Sequence, residues 1–390
     1  MQEVHIIGVG ATPVGEHYTH SLTELAIAAL RSAFGDITPT PDPSHVGALY
    51  VANAMGDTLA AQAHLGTALA TAAGLAGVEA LRIEAAGASG GVALYQAALA
   101  VAAGIYPMAI VLGVEKVTDK LQAAQEASLA LGLNSEFEAE HGLTLTAQWA
   151  MLMRRYMHEY GYEASNFAPF PINAHANGVH TPHALYRFPV KATTYQKAGP
   201  IASPLNMLDC STLADGAAAV VLASDAIARE LGQQSVRIAG RAMATETLAV
   251  HDRPDPLWSE AIHQSASNAM QQAGVTHADI DVLEITDPHG ITAALVLETC
   301  GFVERGTAPR HAADGGIVPG GTTPLATAGG YKSRGDVGGA SGVYQIVELV
   351  RQLRGEAGET QVADASVGFA QCLGGIGATA VTHILVHERS

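Results

Sequence analysis

Apolar and polar positions alternate in blocks from the start of the chain. Val4-His5-Ile6-Ile7-Gly8-Val9-Gly10 is a short, mostly apolar run closed by glycine, the pattern of a buried strand. Ser21-Leu22-Thr23-Glu24 follows as a capping box, in which hydroxyl and carboxylate each satisfy a backbone amide, and it predicts a helix over 21–34. A Pro-rich loop (Pro39 to Pro43) then leads into a second apolar strand near Val46–Ala52. Strands alternating with helices predict an α/β fold with buried sheets. The second half repeats the order. A helix over 258–273 leads into Ile280–Ile285, as 21–34 leads into 46–52. Ala88-Ser89-Gly90 opens one helix and Ala340-Ser341-Gly342 another, with a longer glycine-rich loop at roughly 303–338 widening the second copy. Self-similarity on this scale predicts duplicated domains, 1–236 and 237–390, with the boundary after the apolar run Ala217–Ala223. Residues 117–200, rich in His, Pro and Asn and poor in strand pattern, form an insertion of the kind used as a lid or binding loop.

Composition narrows the function classes. Of 390 residues, 48% are hydrophobic and 15% charged, which predicts a large core and excludes disorder. A net charge of −17 argues against a nucleic-acid partner but leaves room for a small anionic ligand on a local basic patch. The three cysteines, Cys210, Cys300 and Cys372, are far apart and lack metal-ligand spacing, so reduced thiols, no metal and a cytoplasmic location are expected. Val92–Val114 carries no charge, but Gly104 and Pro107 interrupt it; helix, turn and strand are expected there rather than a membrane span.

Several segments carry a family resemblance. Glu84-Ala85-Ala86-Gly87-Ala88-Ser89-Gly90 resembles the E-A-A-C-A-S-G element of archaeal and sterol-carrier-type thiolases. Asn173-Ala174-His175-Ala176-Asn177-Gly178 resembles their N-H-x-N-G, and Thr181-Pro182-His183-Ala184 their N-P-x-A. Pro204-Leu205, Asp209-Cys210-Ser211 and Asp215-Gly216-Ala217-Ala218-Ala219 resemble P-L, D-C-S and D-G-A-A-A. Gly320-Gly321, Gly329-Gly330, Gly335 and Gly374-Gly375-Ile376-Gly377 also fit. The resemblance runs from the first strand to the last. It implies a five-layer αβαβα thiolase fold, a homodimer, and coenzyme A thioesters as substrate or ligand with no permanently bound cofactor.

The chemistry departs from the family. A thiolase attacks a thioester with a thiolate at a helix N-terminus, where amides and the dipole lower the thiol pKa. The matching position here is Gly87. The family's H-D-C-F corresponds to Thr286-Asp287-Pro288-His289, and its G-H-P histidine to Asp336. The resemblance therefore implies that the nucleophilic mechanism is missing. Candidates that remain are an oxyanion hole from amides at Gly87 and Gly374, His289 as acid or base, Asp336 opposite it, and the phenols of Tyr331 and Tyr344. Each has a plainer reading: a tight turn at Gly87, an Asx-turn at Asp336, core packing for Tyr344. Cys372 reads as a displaced nucleophile or a buried strand cysteine, and Cys210 and Cys300 as core. His175, Asn177, Arg187, Lys191 and Lys197, with Arg154 and Arg155, suit a CoA-binding role on the insertion. Three functions follow: a carbon–carbon lyase or aldolase on a β-hydroxyacyl-CoA, paired with an OB-fold/zinc-ribbon protein; a non-catalytic subunit of a complex; or an acetyl-CoA acetyltransferase-like enzyme using another nucleophile.

Overall fold

A computed structural model describes residues 2–232 and 234–387. Its strands are β1 Val4–Ala11, β2 Val46–Ala52, β3 Glu79–Ile83, β4 Met108–Glu115, β5 Pro200–Ala202, β6 Leu205–Asn206, β7 Gly216–Ser224, β8 Val236–Thr245, β9 Val282–Ile285, β10 Val367–Gly374 and β11 Thr379–Val386. β5 and β6 pair with each other. The other nine form one sheet in the order β3-β2-β4-β7-β1-β8-β11-β10-β9.

The order is nearly palindromic, and so are the directions. β2 pairs parallel with β4, β4 antiparallel with β7, and β7 antiparallel with β1. In the same way β9 pairs parallel with β10, β10 antiparallel with β11, and β11 antiparallel with β8. The halves join between β1 and β8, where His5 faces Arg237 and Ile6 faces Val236.

Three apolar clusters stack the fold in layers. On one outer face Leu25, Ala29 and Leu30 of the Leu22–Gly35 helix pack on Leu49, Leu112 and Val221. In the middle, Ala93 and Ala97 of the Ser89–Ala102 helix and Val343 and Val347 of the Ser341–Arg354 helix fill the space between the sheet halves. On the other face Ile262 and Ala266 of the Glu260–Ala273 helix pack on Leu283, Phe369 and Ile384. Helix, sheet, helix, sheet, helix is the layer order expected. The central helices cross at glycine: a Cβ on Gly90 would lie 2.7 Å from the Val343 nitrogen, and one on Gly342 2.9 Å from that of Gly91.

Local signals largely act as read. Ser21 Oγ accepts from Glu24 N at 3.2 Å, and Glu24 Oε2 from Ser21 N at 2.7 Å. Val92–Val114 resolves into helix, turn and β4, and no helix among the described residues is long and apolar enough to cross a membrane. The insertion differs from expectation. It is helical, with Gln122–Ala130, Leu145–Tyr160, Pro169–Gly178 and the short Ala192–Gln196. Gly, Pro and His break its periodicity into short stretches, yet Trp149, Leu152, Met153 and Tyr156 give Leu145–Tyr160 a buried face against the second outer cluster.

Candidate functional site

The site begins where β3 turns into the Ser89–Ala102 helix. Ser89 Oγ accepts from Ala85 N at 2.9 Å and donates to Ala86 O at 2.6 Å, clamping a turn in which Ala86 has φ +49°. The second copy repeats the device: Ser341 Oγ accepts from Val337 N at 2.8 Å and donates to Asp336 Oδ1 at 3.2 Å. The repeated Ala-Ser-Gly is thus a turn clamp followed by a helix crossing.

The β10–β11 hairpin brings Leu373, Gly374 and Gly375 against the first turn. A Cβ on Gly87 would lie 2.7 Å from Leu373 O, and a Cβ on Gly374 2.5 Å from Ala85 O. Only glycine permits this reciprocal approach of two backbones.

Over this seam lies a cavity of about 280 Å³. Gly87, Thr286, Pro288, Tyr331, Asp336 and Gly375 line it, Met55, Leu129, Leu145, Trp149 and Leu373 form apolar wall, and Asp57, Arg82 and Glu84 add charge. Thr286 Oγ1 accepts from Leu373 N at 2.9 Å and lies 3.3 Å from the Tyr331 hydroxyl. Burial raises the Tyr331 phenol well above its ordinary value, so it stays protonated, and either hydroxyl can be the donor in its contact with Thr286. Asp336 Oδ1 accepts from Gly338 N at 2.9 Å, the Asx-turn read from sequence, yet the residue is partly exposed and lines the cavity. Burial raises its carboxyl too, toward the range useful to a base.

Tyr331 is held from behind. Its amide donates to Asp287 Oδ1 at 2.8 Å, and the Arg334 guanidinium sits 5.0 Å from its ring centroid and 5.4 Å from that of Tyr344. Arg334, 0% exposed, pairs with Glu348 Oε2 at 3.0 Å, and Glu348 Oε1 lies 2.9 Å from His183 Nε2. Glu284, also buried, accepts from Thr327 N at 3.0 Å and is raised by burial and by Glu348. Burial pushes Asp287 from 3.8 up to about 7. Between those values the folded protein keeps a proton that the unfolded chain has lost. The contribution of Asp287 to stability therefore declines as pH rises from about 4 to about 7. Asp287→Asn, which keeps the acceptor for Tyr331 N, should gain on the wild type between pH 5 and pH 8 in denaturant midpoint. A difference between the two proteins that does not change with pH would refute this.

The sequence candidates scatter. Gly87, Tyr331 and Asp336 come together, and Gly374 sits in the seam between two lining residues. His289 does not join them: Pro288 occupies the lining, and the extended backbone of His289 (φ −140°, ψ 152°) belongs to the next position along, whose side chain takes the opposite side. Its ring lies 6.2 Å from that of Trp149, and burial lowers its pKa to about 3. Tyr344 is core; its hydroxyl donates to Thr12 O at 3.0 Å. His175 Nδ1 lies 3.0 Å from Phe188 O, and burial lowers its pKa to about 4. Asn177 Nδ2 donates to Ala326 O and Asn173 Nδ2 to Leu325 O, both at 2.9 Å, so this helix braces the loop that carries Tyr331. Arg187, Lys191 and Lys197 are exposed and outside the lining. Cys372 Sγ donates to Gln345 Oε1 at 2.9 Å and Cys300 Sγ to Gln371 Oε1 at 3.0 Å; Cys210 is half-buried, and burial pushes it up to about 12. Among the described residues, the one set with metal-ligand spacing is Glu3, His5 and Asp225. Arg237 and Arg229 pair with its carboxylates, and none of the three lines the cavity. Trp149 and the Arg334–Glu348 pair went unread, and Thr286 entered only as a departure from the family's H-D-C-F. The available signals were a rare tryptophan on an amphipathic helix and a glutamate inside Ile346-Val347-Glu348-Leu349-Val350.

Residues 4–226 match the family "Thiolase, N-terminal domain" and residues 242–387 "Thiolase C-terminal domain-like". The chain belongs to the thiolase superfamily. Among thiolase-superfamily relatives, the acetyl-CoA acetyltransferase of Methanothermobacter thermautotrophicus is 38% identical over 386 residues, covering 98% of this chain and 99% of that protein. The 17-hydroxy-3-oxo-4-pregnene-20-carboxyl-CoA lyase of Mycobacterium tuberculosis is 30% identical over 363 residues, covering 90% of this chain and 91% of that one. A solved structure described as an Ltp2-ChsH2(DUF35) aldolase superposes with TM-score 0.86 at 26% identity, covering 100% of this chain and 98% of that chain.

Proposed function

We propose that this thiolase-superfamily chain is an acyl-CoA carbon–carbon lyase that cleaves a β-hydroxyacyl-CoA by a retro-aldol step without an acyl-enzyme. The observation that carries the reading is the cavity floor. At Gly87, where the family resemblance expects the nucleophilic cysteine, a glycine-only seam leaves no room for a side chain. Among the described residues no cysteine lines the cavity, and burial pushes Cys372 up to about 12, a thiol rather than a thiolate at neutral pH.

What remains suits proton transfer and enolate stabilisation. The Asp336 carboxylate takes the β-hydroxyl proton. The bond between the α and β carbons breaks as the β-carbonyl forms, and its electrons pass into the thioester as an enolate. The Tyr331 hydroxyl and backbone amides at the Gly87 and Gly374–Gly375 turns donate to the enolate oxygen. After the carbonyl product leaves, Asp336 returns the proton to the α carbon and a shortened acyl-CoA results. The relatives named as a lyase and an aldolase support this chemistry. The DUF35 component of the solved aldolase supports a partner, which we take to be an OB-fold/zinc-ribbon protein. The open edge of β3, with Leu81 48% exposed, suits a homodimer.

A second reading, an acyltransferase with another nucleophile, is favoured by the 38% identical acetyltransferase. Intact-mass spectrometry after incubation with acetyl-CoA separates the two. The unmodified mass is expected, together with release of a carbonyl compound from β-hydroxyacyl-CoAs when a co-purified partner is present. An acetyl adduct mapped to Cys372 would overturn the lyase reading in favour of the transferase.

A further inference from the structure

We propose that Trp149 sets the length of acyl group this chain accepts, and that its ligands are short acyl-CoA thioesters rather than ones bearing a fused ring system. The inference rests on the proposed acyl-CoA reading and adds the substrate size.

Trp149 lies one helical turn after Leu145, and both line the reaction cavity. The residue is 3% exposed, and its ring is backed by that of His289. The same Trp149 also borders a void of about 20 Å³ lined by Leu152, Pro256 and Ile376. Leu152 and Pro256 in turn border a third cavity, of about 470 Å³, reaching Phe137 and Met151, which are 56% and 53% exposed. Space therefore lies beyond Trp149, walled by apolar side chains together with Arg253 and, farther out, Glu138, Arg155 and His251, and this residue stands between it and the reaction cavity. At about 280 Å³, that cavity falls just below the roughly 300–1,000 Å³ of pockets that hold drug-sized ligands. The thioester end of the CoA arm must share it. Shared with the thioester, that space favours a few carbons beyond the reacting centre over a fused ring system.

The test is a binding ladder of straight-chain acyl-CoAs from acetyl to decanoyl, read by calorimetry on the full chain, which needs no turnover. Wild-type affinity should rise about fourfold per methylene until the wall is reached, then level or fall. Trp149→Ala should carry the rise several carbons further, and Trp149→Phe less far. Leu145→Phe, which narrows the cavity instead, should shorten it. Thermal melts identify variants that fail to fold; should Trp149→Ala be one, Trp149→Phe and Leu145→Phe still carry the test in opposite directions. An unchanged cut-off in the folded variants, or a wild-type ladder without one, would overturn the proposal. Lack of β-hydroxyacyl-CoA turnover would sink the lyase reading alone, because the ladder reads the wall by binding.

Discussion

Asp336→Asn is expected to reduce β-hydroxyacyl-CoA cleavage by about 10²–10⁴-fold, the usual cost of losing a general base. The amide can still accept from Gly338 N and Ser341 Oγ, which both bond to Oδ1, so the turn and the melting temperature should survive. The loss should fall on kcat, because Asp336 lines the cavity and is the proposed base. Wild-type rate should rise with pH through an ionisation above the ordinary aspartate value, since burial favours the neutral acid and only the carboxylate accepts the proton. The variant should lack that limb. Tyr331→Phe removes a donor rather than a base and should cost about 10²–10³-fold without abolishing the limb. His289→Ala should keep the pH limb of the rate, because the ring lies outside the lining and reaches the cavity only through Trp149, which it backs. Full activity in Asp336→Asn would remove the assignment.

Glu348→Ala should destabilise the fold by about 3–5 kcal/mol, because it strands a guanidinium that is 0% exposed. Arg334 keeps a bond from Nε to Gly335 O at 3.3 Å, but that carbonyl carries no compensating charge. Glu284 and Asp287 also act on Arg334, yet burial raises both carboxyls, so neither replaces the lost anion fully. Denaturant unfolding at pH 7 measures the loss. A Glu348→Ala variant within 1 kcal/mol of wild type would mean that Arg334 finds another partner, and the pair would then not be what holds Tyr331.

Legibility in the sequence followed the range of the interaction. The capping box at Ser21 and the two Ala-Ser-Gly turn clamps depend on neighbours within a turn, and the strand at 46–52 shows as a short apolar run although its partners are distant, so their residues announce them. The seam of Gly87 and Gly374 was legible only as two turns, because what makes each glycine necessary lies at the other end of the chain. Pairing His289 with Asp336 treated a loop as a point. One residue along an extended segment reverses the side a chain faces, so Pro288 took the lining and His289 the interior. Arg334 and Glu348 escaped because a buried ion pair leaves no periodic trace.

The glycine seam also bears on how the protein comes into being. Its two sides, Ala85–Gly87 and Leu373–Gly374, are separated by most of the chain, so closing it is among the longest-range contacts the fold makes. Such contacts carry a large loop-closure entropy and tend to form late. During synthesis, β1 to β7 are made long before the β10–β11 hairpin, and until that hairpin docks the cavity has no floor. A ribosome-bound or truncated first half would hold the Gly87 turn without Leu373 and Gly375 against it. On the proposed reading, ligand binding would require the β10–β11 hairpin to be docked, and acyl-CoA affinity would report on that docking.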